Sequence, residues 1–583
     1  MNLLLNPEFN EIDRCFADFI GKLDRGNALL PLAAAMLSRS VRAGNICWRF
    51  DRPPAELTTG ADGNNLNWPA AKDWRSALSN SKTVGGPDAN TPLVMDDSDR
   101  LYLRRYWTYQ RRLAQALRDK ASGNQSRTSR KDRSQEAAIE AALDNSLTII
   151  SGGPGTGKTT TVLRILERLL RKKGKGWPRI ALVAPTGKAA ARLEQTIRKG
   201  LETLKCSEEI RSRMPQSAAT IHRLLGRRGS SVYFRHDQQN PLPLDLLVID
   251  EASMVALPLL CKVFDALPAH CDVILLGDHE QLASVEPGAV LADMVDAAAS
   301  AESPLASAVV TLEKNYRFGE RSGVHHLCTA VRQGDADQAI RILRTQSYPD
   351  LVSREVHNGQ TLSTALSKAV VAAFADIAAE KRPAIALANL ERFRVLTPLR
   401  RGRVGVEALN REIERTLQEA GLIPENSTSA YPGKPILITQ NDYQLHLYNG
   451  DVGVLLPDPT GENPQQLCAW FEGKENVPRR FAPARLPQHE AAYAMTVHKS
   501  QGSEFDRVLF ILPDRDAAVL TRELIYTGLT RARSQVELWW NEAVFATAVT
   551  RRAERHSGLR DLLTAPAAKI KRPRQEQLRL FGD

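Results

Sequence analysis

Residues 151–161 read SGGPGTGKTTT, and this stretch decides the fold around it. It fits G-x-x-x-x-G-K-[ST], opening at Gly152, running through Gly153, Pro154, Gly155 and Thr156, and closing at Gly157, Lys158 and Thr159, with Thr160 next in line. Glycines let consecutive backbone N–H groups curl around an anion, and a helix starting at Lys158 aims its positive end at the same point. Lys158 adds a mobile charge, and Thr159 a hydroxyl suited to Mg²⁺. The flanks agree: LTII (147–150) is a short β-branched run, and TTTVLRILERLLRKK (159–173) spaces its apolar residues as a helix does. Strand, loop and helix are all predicted, and a bound nucleotide with them. Many unrelated reactions use this loop, so the reaction is read from elsewhere.

Outward from the loop, the chain alternates β-branched runs with helical patterns, in RIALVAP (179–185), DLLVIDE (245–251) and CDVILLGD (271–278). That alternation predicts an α/β unit with a parallel sheet over 134–330. A second unit is predicted in two parts, 331–429 and 488–563, from ERFRVLTPL (391–399), DRVLFILP (506–513) and SQVELWW (534–540). Between the parts, 430–487 breaks into short strands and turns, which predicts an inserted β-barrel. Residues 1–118 are expected to form a helical domain, on the strength of LLPLAAAMLSRSV (29–41) and RLYLRRYWTYQRRLAQALR (100–118). The polar stretch 119–133 reads as a linker, and 564–583 as a basic, disordered tail.

The chain has 583 residues, with 78 Lys+Arg against 67 Asp+Glu, a net charge of +11. Such a balance suggests a polyanionic partner when motifs agree with it. The seven cysteines are odd in number and never form C-x-x-C, which speaks against a zinc site and a disulfide framework. No apolar run reaches the ~18 residues of a membrane span. The opening MNLLLNPEFNEIDR is acidic where a signal peptide is basic, so a cytoplasmic protein without membrane contact is expected.

Chemistry enters with DLLVIDEAS, which ends an apolar run on two adjacent carboxylates. Asp250 can bind Mg²⁺ and Glu251 can polarise the attacking water. In LLGDHEQLASVEPG, Gln281 is a neutral amide able to contact both a γ-phosphate and that water. Phosphoryl transfer builds negative charge that an arginine from across a cleft stabilises, and Arg317 in LEKNYRFG and Arg531 in ELIYTGLTRAR are the candidates. Either arginine alone reads as well as a surface ion pair. His498 has no second ligand at metal spacing and is not a metal site.

The order of the whole set decides. It runs Gln135, the glycine loop, APTGKAAARL (184–193), TIHRLLG (220–226), DEAS, GDHEQL, NYRF, TVHKSQGSEFD (496–506) and YTGLTRAR (526–533). This series resembles superfamily-one helicases of the 5′-to-3′ class. Segments with no evident ATPase role, such as LASVEPGAVLADM, LYNGDVGVLL and RLPQHEAAYAMTVHKSQGSEFDRVLFILP, narrow the resemblance to RecD (alpha) subunits of exodeoxyribonuclease V.

The resemblance implies two RecA-like domains closing on ATP and Mg²⁺, and an SH3-like β insertion. It also implies a heterotrimer with beta (RecB) and gamma (RecC) subunits, acting on single-stranded and duplex-end DNA in double-strand-break resection. Carried over, Gln135 reads adenine, Lys158 and Thr159 hold phosphate and Mg²⁺, Asp250 the metal, Glu251 the water, Gln281 the γ-phosphate, and Arg317 with Arg531 the transition state. Thr186, Lys188, Thr220, His222, Thr496, His498 and Ser500 then suit contacts to a single strand's backbone.

A stand-alone RecD-like helicase would share every motif, but the group carries helix-hairpin-helix elements, and residues 1–115 hold no convincing G-x-G hairpin repeat. A non-catalytic scaffold is opposed by the intact Lys158, Glu251, Arg317 and Arg531. Nuclease activity is not expected, since no acidic cluster pairs with a strand-borne lysine outside these motifs. The motor reading leaves the final residues unexplained. There Gln577, Leu578, Arg579, Leu580 and Phe581 spell QLRLF, which resembles the Q-L-x-L-F peptide that bacterial replication proteins insert into the sliding clamp.

Overall fold

Four strands of two to four residues each open the architecture: β1 (Cys47–Arg49), β2 (Val84–Gly85), β3 (Leu93–Met95) and β4 (Arg100–Leu103), paired in the order β1-β4-β3-β2. The N-terminal domain was expected to be helical, and this sheet corrects that expectation. Strands so short show no period-2 pattern, and only their packing against helices such as Leu30–Arg42 defines them. The protein is seen as a computed structural model that describes residues 4, 6–52, 57, 68–123, 133–172, 176–229, 231–319, 321–356, 360–424, 430–442, 444–458, 465–473 and 477–565.

The first α/β unit is the parallel sheet predicted. Its strands are β5 (Leu147–Gly152), β6 (Ile180–Ala184), β7 (Ala218–Thr220), β8 (Leu246–Ile249), β9 (Asp272–Gly277) and β10 (Val309–Leu312), in the order β10-β5-β9-β8-β6-β7. β5 and β8 are buried throughout because helices cover both faces of such a sheet, which is why they read as unbroken apolar runs. Parallel pairing sets Ser151 beside Gly277 and Ile249 beside Leu275. The residues that follow these strands therefore share one rim, where open α/β sheets bind their ligands.

The second unit contains β11 (Leu351–Glu355) and β12 (Phe393–Thr397) before an insertion made of β13 (Pro435–Ile438), β14 (Val452–Pro457), β15 (Leu467–Phe471), β16 (Arg479–Phe481) and β17 (His489–Ala491). It resumes with β18 (Ala494–Thr496), β19 (Phe505–Ile511) and β20 (Ala532–Trp540), giving a parallel sheet β11-β20-β19-β12-β18. Two α/β units with parallel sheets are thus present, as the resemblance implied. The barrel is not. The insertion is an open antiparallel sheet, β16-β15-β14-β13-β17, and among the described residues its edge strands do not pair with each other. Closure depends on edge pairing, which short strands and turns in a sequence do not specify.

After the helix Glu542–Thr550 the chain leaves the second unit and crosses to the first. Ile46 N–H donates to His556 O at 2.8 Å, and Gly558 N–H to Gln110 Oε1 at 2.8 Å. Ser557 Oγ donates to Asp293 Oδ2 at 2.7 Å, and Arg100 pairs with Asp561 at 2.6 Å. The short helix Leu559–Thr564 then packs on Val290–Ala298 and on Arg104–Ser122. Arg551 and Ala553 are still bonded to the second unit, through Asp516 and Glu523, and residues 555–565 form a strap over the N-terminal domain and first unit, although the sequence reading assigns 555–563 to the second. The helix Arg104–Ser122 also takes in the start of the expected linker, of which 124–132 lie outside the described residues. Of the expected basic tail, 566–583 with QLRLF lie outside them as well. Among the described residues no helix is long and apolar enough to cross a membrane, and no His/Cys/Asp/Glu cluster could hold a metal ion.

Candidate active site

The glycine loop joins β5 to the helix Lys158–Arg171 and is shaped by two left-handed glycines, Gly155 at φ +83° and Gly157 at φ +80°. A Cβ on Gly155 would come within 2.5 Å of Arg317 Cβ, and at both positions the left-handed backbone strains any residue that carries a side chain. Lys158 Nζ reaches back across the loop and donates to Gly152 O at 2.6 Å and Gly153 O at 3.2 Å. Gln135 Nε2 donates to Thr156 O at 3.1 Å. Tyr316 N–H donates to Gly155 O at 2.8 Å, and the Tyr316 ring stands 60% exposed on the same side as Gln135.

Asp250 and Glu251 end β8 on the shared rim. Glu251 is held in the left-handed region at φ 52°, an uncommon state for a residue with a side chain, and its N–H donates to Asp250 Oδ1 at 2.9 Å. Burial and the adjacent charge of Glu251 push the Asp250 carboxyl up to about 6, against the opposing pull of Lys158. Among the described residues the Thr159 hydroxyl and the second Asp250 oxygen have no protein hydrogen-bond partner. They are hard oxygen donors of the kind Mg²⁺ takes.

Gln281 is buried and oriented by a carboxylate the sequence reading missed. Asp278 Oδ2 accepts from Gln281 Nε2 at 3.1 Å and from Tyr526 Oη of the second unit at 3.0 Å. This directs the Gln281 amide oxygen at Arg531, whose Nη2 donates to it at 2.9 Å. Arg531 is 2% exposed, and its other donors go to Thr527 O, Ser503 O and Thr530 Oγ1. Burial lowers its pKa, with Glu251 and Glu504 opposing. Arg317 approaches from the first unit and pairs with Glu504 of the second at 2.6 Å; Arg192, on the helix Gly187–Thr203, pairs with the same carboxylate at 2.5 Å. Burial alone would raise the Glu504 carboxyl, yet the two guanidiniums outweigh it and hold it down at about 2. The fold therefore brings Gln135, residues 152–160, Asp250, Glu251, Gln281, Arg317 and Arg531 into one cleft between the units. Tyr316, Asp278, Arg192, Glu504 and Tyr526 join them. Each of these five lies inside a motif already quoted, but no spacing marked it.

The seven residues expected to touch a nucleic acid are less uniform. Thr186 and Thr220 cap helices, accepting from Ala189 N–H and Arg223 N–H, each at 3.2 Å, and Thr496 accepts from Lys499 N–H at 3.2 Å. Accepting leaves each hydroxyl hydrogen free to donate. Thr220 sits beside Ala184 in the sheet register, and Gly502 lies against Thr186, so these groups line a rim that crosses from one unit to the other. The Lys188 ammonium stands 5.9 Å over the Phe505 ring, and its pKa is lowered by burial and by Arg394. His222 is exposed against Phe234, and burial with Arg555 lowers the pKa of His498. Ser500 departs from the expectation: it is 0% exposed and donates its hydroxyl to Val497 O at 2.7 Å, so it reaches no strand in this conformation.

Comparison with known proteins gives a consistent picture. Residues 7–102 match the family model described as RecBCD enzyme subunit RecD, N-terminal domain; 135–287 match an AAA domain, and 491–538 a UvrD-like helicase C-terminal domain. The RecBCD enzyme subunit RecD of Mycolicibacterium smegmatis is 39% identical over 552 residues, 93% of this chain and 94% of the relative. That of Haemophilus influenzae is 32% identical over 609 residues, covering 91% and 93%. The ATP-dependent RecD2 DNA helicase of Deinococcus radiodurans is 30% identical over 406 residues, 69% of this chain but 48% of that protein.

Proposed function

This chain belongs to the RecD family of RecBCD enzyme subunits, and from that premise we infer that it is an ATP-dependent DNA helicase subunit of exodeoxyribonuclease V, moving 5′ to 3′ on single-stranded DNA. The observation that carries the reading is the cleft itself. One unit supplies the phosphate loop, both carboxylates and Gln281, the other supplies Arg531, and polar contacts that include Gln281–Arg531, Asp278–Tyr526, Arg192–Glu504 and Arg317–Glu504 span the gap. A site built from both sides is completed only when they approach, which couples hydrolysis to relative movement.

In this reading Lys158 exchanges its two loop carbonyls for the β- and γ-phosphates of ATP, and Gln135 with the Tyr316 ring flanks the adenine. Thr159 and Asp250 would hold Mg²⁺, which neutralises phosphate charge when bound. Glu251 orients the attacking water, Gln281 contacts the γ-phosphate, and Arg317 and Arg531 stabilise the charge that develops. Thr186, Lys188, Thr220, His222, Thr496 and His498 face the DNA backbone. The inserted sheet fills the place of the SH3-like module, with Tyr448 against Gly187 of the strand-binding rim.

The match of 7–102 to the RecD N-terminal model, with near-complete coverage of the RecD relatives, favours the subunit over the stand-alone helicase. RecB and RecC subunits are accordingly the partners, duplex ends the substrate and the cytoplasm the location. The tail's QLRLF adds a sliding clamp as a further partner. Forked duplexes test the polarity: unwinding is expected with a 5′ single-stranded tail, and unwinding from a 3′ tail alone refutes it.

A further inference from the structure

Glu504 sits where two guanidiniums of the opposite unit converge. One carboxylate oxygen, Oε1, accepts from Arg192 Nη2 at 2.5 Å and from Arg317 Nη2 at 2.6 Å, while Oε2 lies 3.6 Å from Arg533 of its own unit. The Glu504 side chain is 7% exposed, so the charges meet with little water between them. Two guanidiniums sharing one oxygen are under-supplied with acceptors. The shortage is visible, because Arg317 Nη1 is buried with no hydrogen-bond partner. A phosphoryl group, with three acceptor oxygens, satisfies such a pair better than a carboxylate does.

The backbone links this carboxylate to the other arginine of the site. Glu504 directly precedes β19, and the next residue, Phe505, donates its N–H to Arg531 O at 2.9 Å. Glu504 and Arg531 are thus neighbours on one rigid edge and move together. The cleft groups Lys158, Arg192, Arg317 and Arg531 against Asp250, Glu251, Asp278 and Glu504, a balance that an entering polyanion upsets. Arg192 feels Asp250 and Glu251 as well as Glu504.

We propose that Glu504 is a positioning residue that stands in for the γ-phosphate: it holds Arg317 and Arg192 in the cleft between turnovers and yields them to the nucleotide as the units close. The exchange sets two costs. The nucleotide must displace a carboxylate to gain Arg317, which weakens its binding. The carboxylate must recapture the arginine for phosphate to leave, which speeds release. Glu504 therefore trades affinity for turnover. This rests on the assignment of the cleft as the ATP site.

The test is steady-state, DNA-stimulated ATP hydrolysis by full-length protein, assembled with a sister motor subunit whose own phosphate loop is inactivated. Glu504→Gln keeps the shape and removes the charge. KM for ATP is expected to fall about tenfold, the scale of one close charge pair, while kcat falls and bound phosphate dissociates more slowly in a fluorescent phosphate-sensor assay. Glu504→Asp, which keeps the charge, is expected to restore most of the parent KM. Glu504→Ala carries the same expectation as the glutamine variant should that variant not fold. An unchanged or raised KM in the charge-free variants overturns the proposal and leaves Glu504 as an interdomain brace. Lys158→Ala is the control for the site itself, and hydrolysis surviving that change would overturn the ATP-site assignment instead.

Discussion

The amide oxygen of Gln281 and the guanidinium of Arg531 meet at 2.9 Å across the gap between the two parallel sheets, with Asp278 fixing which end of the amide faces the arginine. A neutral amide is a suitable partner, because it orients the arginine without cancelling its charge. Arg531→Ala is expected to lower kcat about 10³-fold while ATP affinity changes by a small factor, the pattern of a contact made chiefly in the transition state. Gln281→Ala and the double variant complete a cycle whose effects should be far from additive. Equal losses in binding and turnover would refute the role.

Lys158 donates to two carbonyls of its own loop. Lys158→Gln can still accept or donate there but lacks the charge, so DNA-stimulated hydrolysis should drop by at least about 10²-fold. Thermal unfolding and co-purification with the sister subunits should stay as in the parent. Loss of assembly would show the lysine to be structural.

The strap supplies a pH dependence. Burial is the main cause that pushes the Asp293 carboxyl up to about 7; Ser557 opposes it, Asp296 and Asp561 add to it, and Arg560 opposes it. A carboxyl raised in the folded state is protonated there and ionised in the unfolded chain between about 4 and 7. Stability therefore falls as pH rises through that window, and the full penalty is present above it. Asp293→Asn should flatten the decline and raise Tm by a few degrees at pH 8. A parallel decline in both proteins, measured by calorimetry, would exclude Asp293 as its source.

A peptide spanning 567–583 should bind the cognate sliding clamp in a fluorescence-anisotropy titration, with Leu580 and Phe581 as apolar anchors. Leu580→Ala with Phe581→Ala should abolish it. No binding at ~100 μM, near −5.5 kcal/mol, or binding indifferent to both substitutions, reduces the tail to a basic terminus.

What could be read from the sequence was what local spacing encodes. The run from Leu147 to Arg171 announced strand, loop and helix, and Asp250 with Glu251 announced the end of β8, since each needs only neighbours along the chain. Glu504 went unremarked although its motif was quoted, because its meaning lies in Arg192 and Arg317, which only the folded interface brings to it. The N-terminal sheet escaped because strands of two to four residues carry no period. Ser500 reads as a contact to a single strand's backbone because its letter does not distinguish an exposed hydroxyl from a buried one bonded to Val497 O. The barrel was inferred from turns, while the open sheet is decided by edges that do not meet.

The strap has a mechanical corollary. The backbone joins the second unit to the rest of the molecule at two separate places, where the chain enters it after β10 and where 555–565 lies down across Asp293 of the first unit and Gln110 of the N-terminal domain. A plate pinned at one point can wobble in any direction, but one pinned at two swings about the line through both pins, as a door does. The displacement such a swing gives the rim that carries Thr496 and His498 grows with the distance of that rim from the line.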